Sequence, residues 1–229
     1  GRESPICISA LAKLAKLLFA AWESGRGDRE LAEASRLNAE LVPLIGSIQG
    51  ETSPNYAVTL FNLGLCHKAS GANEEALLVL ERAVALYETM GERFTVQLAR
   101  CIGARGAVLR QLQRPDEAEA ALLRGLEILD GSQRPEPSER AMFLHGLADL
   151  YQSQQRLSDA LPLFEQAAGI QPSLDGAETR ASREAWARLA LAHHQGGDFE
   201  RARPFYERAF GLPVKGAAGE EDRPDGDGR

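Results

Sequence analysis

Apolar residues recur along this chain at helical spacing, and the pattern itself recurs. Leu60, Leu63, Gly64 and His67 share one face of a helix predicted over Tyr56 to Ser70. Ile102, Gly106 and Leu109 repeat that face, as do Leu144, Leu147, Ala148 and Tyr151, and then Trp186, Leu189, Ala190 and His193. A second pattern follows each time. Ala76, Leu80 and Ala83 correspond to Ala118, Leu122 and Gly125, to Ala160, Phe164 and Ala167, and to Ala202, Tyr206 and Ala209. The leading alanines stand 42 residues apart. Each lies twelve residues after a small residue, Gly64, Gly106, Ala148 or Ala190. Small residues on both helices of a pair predict a hairpin whose backbones cross closely.

Turn signals fall between the helices of each hairpin, at Gly71-Ala72-Asn73, Arg114-Pro115-Asp116, Gln155 to Ser158 and Gly196-Gly197-Asp198. Asn73 and Asp198 are expected to cap helices, and Pro115 suits a first helical turn. Pro162 and Pro204 are expected among the first amides of their helices, which have no intrahelical acceptor to lose. Longer breaks are expected between hairpins, at Gly46 to Asn55, Met90 to Glu92, Gly131 to Pro137 and Gln171 to Gly176. The first hairpin is irregular. Ala34 keeps the 42-residue register, while Leu11, Leu14, Leu18 and Trp22 are offset by about three residues. The expected organisation is a divergent N-terminal hairpin over 1–49, four repeats over 50–213 and an acidic, disordered tail over 214–229. The fold class is all-α, a right-handed solenoid of antiparallel helical hairpins.

Charge and composition narrow the function. A net charge of -7 argues against a nucleic-acid partner, which requires a basic footprint. No uninterrupted apolar run reaches transmembrane length, and Lys13 and Lys16 interrupt the apolar segment Leu11 to Trp22, so no membrane-spanning segment is expected. Three scattered cysteines, Cys7, Cys66 and Cys101, make no disulfide framework and suit a reducing, cytoplasmic setting. The chain starts at Gly1 without Met, so a lost targeting peptide and an organellar location stay open.

Catalytic readings fail one by one. Cys66 with His67 has no converging third ligand and reads as a buried structural thiol. His67 and His193 occupy the slot that Tyr151 fills in a sister repeat and read as packing residues, whereas His145 and His194 are expected to look toward a groove. Acidic pairs such as Glu74-Glu75 open second helices, where the helix dipole favours them. No nucleophile elbow, phosphate-cradling glycine loop or helical metalloprotease motif is present. No enzyme and no cofactor are expected.

These residues together resemble tetratricopeptide repeats, of the 42-residue variety typical of kinesin light chains. The best match is Gly50-Glu51-Thr52-Ser53-Pro54-Asn55-Tyr56-Ala57, running into Leu60, Asn62, Leu63 and Gly64. Pro162-Leu163-Phe164 and Pro204-Phe205-Tyr206 match the proline-plus-aromatic second helix. Arg105 departs from the pattern where leucine is usual.

The resemblance implies a protein-interaction scaffold whose first helices line a concave groove. The groove residues it implies are Val58, Phe61, Asn62 and Leu65, then Arg100 and Arg110, then Met142, His145 and Asp149, then Arg188 and Leu191. Such a strip suits a protein or peptide segment with an apolar anchor beside acidic residues, within a multi-protein complex. Some members grip a terminal carboxylate through Lys, Asn and Arg on successive first helices. Asn62 and Arg100 fall at two such positions, but Ala104 stands where the next cation belongs, so that clamp is set aside. Two other functions remain open: a permanent structural or assembly subunit, and a regulatory arm of a longer enzyme or sensor.

Overall fold

The computed structural model describes residues 4–132, 137–170 and 180–211. Among the described residues every regular element is helical. Ten α-helices run in order: α1 (Pro5–Glu23), α2 (Asp28–Gln49), α3 (Pro54–Ala69), α4 (Asn73–Thr89), α5 (Thr95–Gln111), α6 (Pro115–Asp130), α7 (Pro137–Ser153), α8 (Leu157–Ile170), α9 (Arg180–Gln195) and α10 (Phe199–Phe210). A single 3-10 turn, Glu92–Phe94, precedes α5. The chain forms two compact units, residues 1–150 and 151–229. The predicted tail and the breaks within 133–136 and 171–176 lie outside the described residues.

Local chemistry sets the helix starts. α1 and α3 both begin with Ser-Pro. Ser4 accepts a hydrogen bond from the Cys7 amide at 3.2 Å, and Ser53 accepts one from the Tyr56 amide at 3.3 Å. Proline follows each cap, where its missing N–H costs nothing. This places the start of α3 at Pro54, two residues before the predicted one. Asp198 caps α10 as expected, accepting from the Arg201 amide at 3.1 Å. Asn73 does not cap α4. It is the first helical residue, and its Oδ1 has no hydrogen-bond partner. Pro162 and Pro204 sit deeper than expected, at the sixth residue of α8 and of α10. Each removes one interior helix bond, so both helices carry a local cost that the sequence pattern did not reveal.

In the first unit, helices pack in hairpins (α1 with α2, α3 with α4, α5 with α6), and α2 packs on α3 as α4 packs on α5. In the second, α8 packs on α9 and α9 pairs with α10. The small residues lie where the register put them. A Cβ added at Gly64 would lie 2.7 Å from Leu80, and one at Gly106 would lie 3.2 Å from Leu122. Ala34, Ala76, Ala118 and Ala160 are fully buried. Leucine at Ala118 or Ala160 should therefore overpack a helix crossing and cost about 1–3 kcal/mol. Ala120→Leu, on the exposed side of α6, should leave the denaturation midpoint almost unchanged. Equal midpoints for the three variants would contradict the register.

α1 departs from the sequence expectation. It has 19 residues and a mean hydropathy of 1.5 over its most apolar window, long and apolar enough to cross a membrane by length and composition alone. Lys13 and Lys16 break the apolar run, but the surrounding Ala, Leu and Ile keep the average high. Within the fold, Ile8 and Ala15 are buried, and Leu18, Phe19 and Trp22 pack against Leu31, Ala34 and Cys66.

A candidate binding surface on the first helices

At the start of the first unit, α1 and α3 border a hollow of about 440 Å³. Ser9, Ala12, Lys13 and Lys16 line it from α1, Ile45 and Gln49 from α2, and Asn55, Val58, Thr59 and Asn62 from α3. Its polar groups are partly fixed. The Asn55 amide donates to Gln49 Oε1 at 2.7 Å, and the Thr59 hydroxyl donates to the Asn55 carbonyl at 2.8 Å. Lys13 and Lys16 are exposed and belong to no ion pair among the described residues. Val58, 41% exposed, supplies an apolar wall beside them. The hollow thus offers two cations, the Asn62 amide and an apolar contact on one surface.

Sequence reasoning took Val58 and Asn62 but missed Lys13 and Lys16. The signal was present. With the first helix slipped by three residues, Lys13 stands 45 residues before Val58, and Lys16 stands 45 before Phe61. Both lysines therefore occupy first-helix positions equivalent to two that were assigned to the groove.

Farther along, a ladder joins three first helices. The Arg100 guanidinium on α5 lies over the Phe61 ring on α3, 6.0 Å from its centroid. It also reaches Glu139 on α7 at 3.5 Å. Arg100, expected to offer its charge to a ligand carboxylate, is already engaged by an acid and an aromatic face of its own chain. Its contribution to binding is correspondingly smaller, and the free basic groups of this surface are those of α1. Next to the ladder, Met142 on α7 covers the bare backbone of Gly103 on α5, where an added Cβ would lie 2.8 Å from its Cε.

The other predicted groove residues are accessible to differing degrees. Leu65 is half-buried and Met142 is exposed. Arg110 is exposed and close to Lys68, whose pKa is lowered mainly by burial, with the Arg110 charge adding to the effect. His145 and Asp149 are half-buried on α7 and engaged with neighbours. In the second unit, Arg188 and Leu191 are exposed on α9. His194 does not simply look into a groove. Its ring meets the edges of Phe199 and Tyr206 on α10 at 4.9 and 6.2 Å. His193 behaves as expected, buried and stacked on Phe205, whose ring also stacks on Trp186.

The thiols carry no reactive chemistry in the folded state. Asn38 on α2 donates to Cys66 Sγ at 3.8 Å, and burial pushes the Cys66 thiol up to about 11. Burial pushes Cys101 up to about 12. Because the thiolate is the nucleophile, Cys66 and Cys101 should resist alkylation at roughly pH 8 until the chain unfolds, whereas Cys7, partly accessible on α1, should react first. Thiol counting before and after denaturation tests this. The sign for stability follows from the raised values. The neutral thiols favour the fold fully below pH 9, the ordinary value, and that contribution is lost as pH climbs through 11 to 12. Denaturation midpoints should therefore fall across this alkaline window.

Comparison with known proteins agrees with the geometry. The tetratricopeptide repeat family model matches residues 14–89 and 138–212. A Podosopora anserina kinesin-light-chain-like structure of nearly identical TPR-like repeats superposes with a TM-score of 0.69 at 20% identity, covering 93% of this chain and 99% of that one. BtubC (BKLC) from P. vanneervenii gives 0.72 at 19% identity, covering 99% and 89%. A Rap protein complexed with Competence and Sporulation Factor gives 0.70 at 14% identity, covering 85% and 51%. No curated protein sequence matches the chain.

Proposed function

This chain belongs to the tetratricopeptide repeat family, of the kinesin-light-chain-like type, and from that premise we propose that it is a non-catalytic scaffold that holds a partner segment on its first helices. One observation carries the reading. The hollow between α1 and α3 sets the free cations Lys13 and Lys16 beside the apolar Val58 and the amide of Asn62. In a chain of net charge -7, this is a local basic site with an apolar floor. It fits a short acidic segment with one apolar anchor, steered in by charge and held by charge-assisted hydrogen bonds.

A similar structure was solved in complex with Competence and Sporulation Factor, which supports binding as the use of such a fold. The free thiols suit a reducing compartment. The permanent-subunit reading has less support on the second helices of the first unit, where Leu78 on α4 and Leu123 on α6 are separate exposed apolar residues and form no patch.

Selection from a displayed random peptide library tests the proposal. The expected ligands are rich in Asp and Glu around a single large apolar residue, and added salt weakens them. Recovery of basic ligands, or of none, would count against it.

A further inference from the structure

Each helix of an array has a face toward its hairpin partner and a face toward the neighbouring hairpin. α1 shows these faces separately. Ile8 and Ala15 turn toward α2, and Ser9, Lys13 and Lys16 line the hollow. A third, outer face carries Ile6, Ala10, Leu14 and Leu17, with Ile6 84%, Leu14 45% and Leu17 67% exposed. On α3 the corresponding side is covered by the second helix of the preceding hairpin. Tyr56 lies there, only 2% exposed, against α2 at Gly46. No described helix covers α1 in this way.

The last described helix has the complementary vacancy. Within the first unit, the stripe Leu77, Glu81, Val84 on α4 faces the next hairpin. Glu81 reaches Arg105 of α5 at 3.6 Å, and Leu77 and Val84 are each 6% exposed. The 42-residue register maps these positions onto Arg203, Glu207 and Phe210 of α10. Here Arg203 is exposed, Phe210 is 66% exposed, and Phe199, four residues before Arg203, is 61% exposed. One end of the chain is thus a first helix without a second helix on its outer face. The other is a second helix without a first helix to cover.

We propose that copies of this chain associate head to tail, the outer face of α10 in one copy stacking on the outer face of α1 in the next. The occupant follows from the fold's own packing rule. A second helix lies on the following first helix at α2 on α3, at α4 on α5 and at α8 on α9, and the chain exposes one free helix of each kind. Such a contact is heterologous, so it extends into chains of copies and does not close on itself as a symmetric pair.

The test uses Leu17→Glu and Phe210→Glu, both at exposed positions, so helicity by circular dichroism should match the wild type. Sedimentation velocity across a wide concentration range reads the mass. The wild type should grow beyond its 24.8 kDa monomer as concentration rises, and each variant alone should stay monomeric. An equimolar mixture should recover association and stop at the dimer, because each variant keeps the end the other has lost. A monomeric wild type overturns the proposal. So does a mixture that fails to associate while Phe210→Glu alone still dimerises, since that result means α1 pairs with α1. A wild type that stays monomeric but binds anionic vesicles, losing them in Leu17→Glu, assigns the outer face of α1 to lipid and equally overturns it.

Discussion

Gly125→Ala should destabilise this protein more than any other single-methyl addition at a described glycine. A Cβ at Gly125 on α6 would overlap the ring of Phe143 on α7, a residue that is fully buried and has no solvent side to move toward. Close packing leaves little room for such a ring to yield. The expected cost is about 3 kcal/mol, the upper end of the usual range for overpacking, or a fall in Tm of roughly 6–12 °C for a chain of this size. Adding Phe143→Leu should recover part of the loss. Gly169→Ala on α8, where nothing lies within 4 Å, should be neutral or slightly stabilising. Thermal melts of the three variants decide the matter. An unchanged Tm for Gly125→Ala would mean that α6 and α7 do not meet at this point.

The largest effect on binding should come from Lys13→Glu with Lys16→Glu. Both residues are exposed and lack ion pairs among the described residues, so the double reversal should leave the fold intact while inverting the charge of the hollow. A charge-assisted hydrogen bond contributes about 1.5–3 kcal/mol, and every 1.4 kcal/mol is tenfold in Kd. Affinity for an acidic, singly anchored peptide should therefore fall at least about tenfold per lysine at low salt. Arg100→Ala should do much less, because Phe61 and Glu139 already hold that side chain. Fluorescence anisotropy with a labelled peptide from the selection measures both variants. A larger loss for Arg100→Ala than for the lysine pair would invert the assignment.

The repeat was legible in the sequence because a close helix crossing tolerates only small residues. Gly64, Gly106 and the alanines at 76, 118 and 160 mark those crossings in constant register, and all are buried. Other features depend on distances between helices, which a period does not encode. Phe61, Arg100 and Glu139 stand 39 residues apart at each step, not 42, so no comparison of equivalent positions would pair them. The slip of the first hairpin hid Lys13 and Lys16 for a related reason, since counting by 42 places neither opposite Val58 or Phe61. Asn73 looked like a cap because its residue type is right. α4 nevertheless begins at Asn73 itself, and Ala72 stands at the cap. Pro162 and Pro204 were misplaced by the same uncertainty about where a helix starts.

Hydrogen–deuterium exchange with and without a selected acidic peptide tests the central claim most directly, because it maps the bound surface without relying on substitutions. Protection is expected in α1 around Ser9 to Lys16 and in α3 around Asn55 to Asn62, with α4 and α6 unchanged on their outer sides. Protection confined to the second helices, with α1 and α3 unaffected, would contradict the account.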